Sequence, residues 1–114
     1  MVKYFTVPII DRRFLLVTPP SNVLKAAIKH EMGKILIDKI KKDPVDKGME
    51  GCCYVDQERG RIVMWLKTKN SSVITHEVDH AIFYMFKAIG AASEPEFRAY
   101  THEWLFDKIK NILR

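Results

Sequence analysis

Cysteine is nearly absent: Cys52 and Cys53 are the two in 114 residues. Adjacent cysteines rarely bridge each other, and the pair lacks the C-x-x-C spacing of zinc or redox motifs. A disulfide framework is thereby excluded, both residues are expected to be ordinary strand residues, and a reducing compartment, the cytoplasm, is expected. Long apolar runs are lacking as well. No stretch approaches the ~20 apolar residues of a membrane span. The opening MVKYFTVPIIDRRF has neither a long apolar core nor a small-residue cleavage site, so no secretory signal is expected there. No internal repeat, low-complexity tract or linker interrupts the chain.

What is present suits one compact domain spanning residues 1–114, because a hydrophobic content of 47% can fill a core at this length. Lys and Arg number 19 against 14 Asp and Glu, a net charge of +5. Much of the excess lies in LKAAIKHEMGKILIDKIKK, which reads first as a solvated helix face and second as a contact for an acidic partner. Basic and aromatic residues do not interleave as in a named nucleic-acid fold, so nucleic acid is the less expected partner.

KYFTVPII and RRFLLVT have the β-branched and aromatic content of short strands, with Pro8 confining the first to an edge or a strand end. Ser21 or Asn22 can cap a helix from about Val23, weakened at Gly33 and ended by Pro44 with Gly48. GCCYVD and RIVMWLK flank a polar turn containing Gly60 and read as a hairpin. Asn70, Ser71 or Ser72 can cap a helix that ends near Gly90. SEPE opens the last helix, with Ser93 as cap, Pro95 in the first turn, and Phe97, Trp104, Leu105, Ile109 and Ile112 as its apolar side. The expected fold is α+β: a small, mostly antiparallel sheet of about four strands on about three helices, the last two an antiparallel pair.

The chemistry lies in VITHEVDHAIFYMF. Residues four apart share a helix face, so His76 and His80 can present their imidazoles to one ion, while Glu77 points to the adjacent side. This is the H-E-x-x-H arrangement of zinc hydrolases: the metal acidifies its water, Glu77 takes the proton, and hydroxide attacks a polarised carbonyl. A catalytic zinc takes a third protein ligand. The acidic residues of the last helix at 96, 103 and 107 fall on one stripe with Tyr100. Glu96 is the first choice, followed by Glu103, His102 and Glu94. The same Glu96 also completes an S-x-x-E capping box with Ser93, and Tyr100 serves either an oxyanion or the core. Asp79 and Tyr84 are read as surface and packing residues.

THEVDHA followed by EPEFRAYTHEWL resembles the gluzincin metallopeptidases, most nearly a minimal member of the small kind met in phage and bacteria. The resemblance runs from about Gly51 to Arg114. It implies a zincin-like fold, Zn2+ bound by His76, His80 and Glu96, Glu77 as general base, a peptide or protein substrate, and a strand, RIVMWLK, lining the cleft. Two other functions compete: a binding protein on the same scaffold, catalytically weak or inactive, whose basic helix meets an acidic partner, and a small α+β protein whose histidines are ordinary polar residues.

Overall fold

The structure is a computed structural model that describes residues 1–46, 48–91 and 94–114. Four strands form one sheet: β1 (Val2–Val7), β2 (Arg12–Val17), β3 (Gly51–Asp56) and β4 (Arg61–Leu66), in the order β1-β2-β4-β3. β1 with β2 and β3 with β4 are antiparallel, whereas β2 and β4 run parallel in the middle. The sheet is therefore mixed. β1 stops one residue before Pro8 and lies at the edge, where a residue without an N–H is tolerated.

Both faces of the two central strands are buried, which explains their unbroken apolar text, FLLV in β2 and IVMWL in β4. Side chains alternate between the faces. Phe14, Leu16, Ile62, Met64 and Leu66 pack against α3 (Ser71–Ala88) and α4 (Pro95–Ile112). Leu15, Val17, Val63 and Trp65 pack against α1 (Val23–Lys29) and α2 (Lys34–Lys42). The α+β class holds, with four helices in place of about three.

The extra helix arises because the expected first helix is broken. Glu31 and Gly33 take φ values of 52° and 101°, and the Arg61 guanidinium fills the space where a Gly33 side chain would stand. Met32, between them, is fully buried against the sheet. The expected hairpin is present, its turn held by Asp56, whose carboxylate accepts from the amides of Glu58 and Arg59 and pairs with Arg61 at 3.0 Å. Asn22 caps α1 and Asn70 caps α3 through their side chains. Gly90 has φ 74° just past α3, the left-handed position expected of it. Pro95 opens α4; the expected Ser93 cap lies outside the described residues. No helix among the described residues is long and apolar enough to cross a membrane.

Candidate functional site

α3 lies along β3 and β4, and its side chains are distributed by the roughly 100° that separates successive residues of a helix. His76 and His80 share an exposed face, with ring centroids 4.7 Å apart and planes tilted by 44°. Glu77 turns the other way, toward the sheet, and is only 7% exposed.

Its surroundings are specific. Gly51 lets the helix approach closely: a Cβ there would lie 3.3 Å from Glu77 Cγ and 3.2 Å from Val73 Cγ1. Two residues along, on the same face of the strand, the Cys53 thiol donates to the Glu77 carbonyl oxygen at 3.3 Å. Burial pushes the Cys53 thiol well above its ordinary value, and the nearby Glu77 charge pushes the same way. Cys53 is thus a neutral thiol tying β3 to α3. Burial also lifts Cys52, on the opposite face of the strand, to about 11. Both cysteines are free, as their expected role as strand residues required.

His80 faces the edge of the sheet. Together with Tyr84 it forms one wall of a groove of about 650 Å³ that runs along β3, the outermost strand. Lys39, Lys42 and Asp43 form the opposite wall. The basic segment and the histidine helix, rival features in the sequence, are therefore two sides of one groove. Each is a local pattern, and only the position of β3 between them joins the two.

Asp79 lies about 100° around the helix from His80 and faces α4. There its carboxylate meets His102 Nε2 at 2.6 Å, so Asp79 is the surface residue expected of it and also links the two helices. Of the α4 candidates, His102 is thus fixed to the motif helix through Asp79. Glu96, Glu103 and Tyr100 do fall on one stripe, and that stripe is exposed, Tyr100 at 62%. Glu94, at the N-cap of α4, is also exposed.

His76 and His80 fit two positions of a zinc ion by donor type and spacing, while the third position has no donor beside them: among the described residues no three His, Cys, Asp or Glu side chains converge in a way that holds a metal. No family model, curated protein or solved structure matches the chain. The gluzincin resemblance rests on the motif residues themselves.

Proposed function

We propose that the chain is a zinc-dependent hydrolase of peptide bonds, with His76 and His80 as metal ligands, Glu77 as the proton acceptor and the groove along β3 as the path of the substrate. The observation that carries this reading is the pair of imidazoles on one helix face, of which His80 lines a groove on an open sheet edge. Zinc, when bound, supplies an acidified water and a Lewis acid for the carbonyl. The chain's own residues supply the rest. His76 and His80 offer nitrogen donors, and Glu77 offers a carboxylate whose stem passes close over Gly51. The third donor in this reading comes from α4, with Glu96 the residue the motif resemblance assigns and Glu103 or His102 as substitutes. The His102–Asp79 pair ties α4 to the motif helix on the face about 100° around from His80.

A second reading, a metal-binding scaffold that recognises a partner without turnover, is favoured by the burial of Glu77 against the sheet. Elemental analysis of untagged protein, paired with a peptide-cleavage assay, separates the two. The hydrolase reading expects about one zinc per chain, lost in His80→Ala. It also expects Glu77→Gln to keep its zinc and lose cleavage by at least about 100-fold. Zinc without cleavage in the parent favours the scaffold. Neither zinc nor cleavage returns the histidines to ordinary polar residues of a helix surface.

A further inference from the structure

β3 offers its outer edge to an extended chain. The Lys67 amide donates to the Glu50 carbonyl at 2.9 Å, which sets the hydrogen-bonding parity of the β3–β4 pair. Bonded and outward-facing positions alternate in an antiparallel ladder. Gly51, Cys53 and Val55 therefore turn their main-chain groups away from β4, toward the groove. At Val55 that direction is already taken: Lys39 Nζ donates to the Val55 carbonyl at 2.6 Å. An ammonium has three donors, so this bond leaves two for a ligand. Lys42, exposed on the last turn of α2, lines the same wall. Among the described residues, Asp43 is the one carboxylate lining the groove, set against these two ammonium groups.

We propose that the β3 groove selects an extended peptide bearing acidic side chains, paired with the Gly51–Cys53 edge and held at its charged residues by Lys39 and Lys42, which act as specificity-determining residues. The proposal deepens the reading of the groove as the substrate path and rests on it. Strand pairing supplies affinity that is indifferent to side chains, and the lysines supply the discrimination. Lys39 serves both ends: it closes the edge at Val55 and marks the place where an incoming carboxylate arrives.

The test uses Glu77→Gln protein, so that turnover does not intervene, and reads fluorescence anisotropy of a short labelled β-prone peptide with adjacent glutamates beside its glutamine isostere. The acidic peptide is expected to bind about tenfold more tightly at low salt, with the preference shrinking as salt rises. Lys42→Gln, and Lys39→Gln where it folds, are expected to bring the ratio to within about twofold. Because Lys42 lies on an exposed helix end, its variant keeps the test decisive if loss of the Lys39 bond unfolds the edge. Equal affinity for the two peptides, no binding of either, or a preference untouched by the substitutions overturns the proposal. So does a concentration-dependent dimer that excludes the peptide, since a second copy would then be the occupant. A charge preference in a protein with neither zinc nor cleavage upholds this inference and sinks only the hydrolase reading. Cleavage indifferent to substrate charge does the reverse.

Discussion

Gly51 shows how one missing side chain sets the geometry of the candidate site. A Cβ at this position would stand 2.9 Å from Leu66 Cδ2, 3.2 Å from Val73 Cγ1 and 3.3 Å from Glu77 Cγ. The Leu66 methyl can rotate aside, but Val73 and the Glu77 stem belong to α3 and move only with the helix. Gly51→Ala is therefore expected to destabilise the fold by about 1–3 kcal/mol, as overpacking does. Urea unfolding measures the loss, and an unchanged midpoint would mean that α3 lifts from β3 at no cost. The three motif residues occupy different environments for an equally local reason. On a helix, a histidine pair four apart stays together while the residue after the first turns about 100° away. With His76 and His80 at the surface, Glu77 meets the sheet.

At the scale of elements, local chemistry was a good guide. Asn22 and Asn70 cap as their residue type suggests, Gly60 lies in the expected turn, Gly90 takes the left-handed conformation expected of it, and Pro8 marks an edge strand. Asn70→Ala removes the 2.8 Å bond to the Ser72 amide and is expected to cost about 1 kcal/mol. Hydrogen exchange in the first turn of α3 should rise accordingly; unaltered protection would show that the cap is redundant. The features that the sequence concealed depend on distant partners. The break at Gly33 needs the Arg61 guanidinium, which arrives from β4. The stripe of Glu96, Tyr100 and Glu103 was legible as a stripe, but the face of α4 that turns inward was not. Thr101 is fully buried although polar, because its hydroxyl donates to the Phe97 carbonyl at 2.7 Å. Phe97, counted on the apolar side, is 57% exposed. The histidine motif was readable residue by residue, whereas the Asp79–His102 pair and the groove along β3 required the register of α3 against its neighbours.

For the whole molecule, the sheet separates two cores, and the buried carboxylate at position 56 is held by a charge partner and by turn amides. Asp56 is fully buried, and although burial alone would raise its pKa, the Arg61 bonds and the turn amides lower it below the ordinary 3.8. The folded form thus holds the carboxylate charged where the unfolded chain already takes up a proton. Its contribution is complete above the unfolded value and fades as pH falls through the folded one. Asp56→Asn is expected to lose about 3 kcal/mol at neutral pH, because Arg61 is left without its charge partner. The gap from the parent should narrow in unfolding curves taken below about pH 4; a gap that stays constant into acid would show that the charge of Asp56 is not what matters. The bond from Lys39 to Val55 has a further consequence, for solubility. An open strand edge is a template on which like chains can stack into fibres, and a lysine laid across it is a common safeguard. This bond shortens the sticky length of β3, so the protein can keep a receptive edge at high concentration while resisting growth of its own sheet into aggregates.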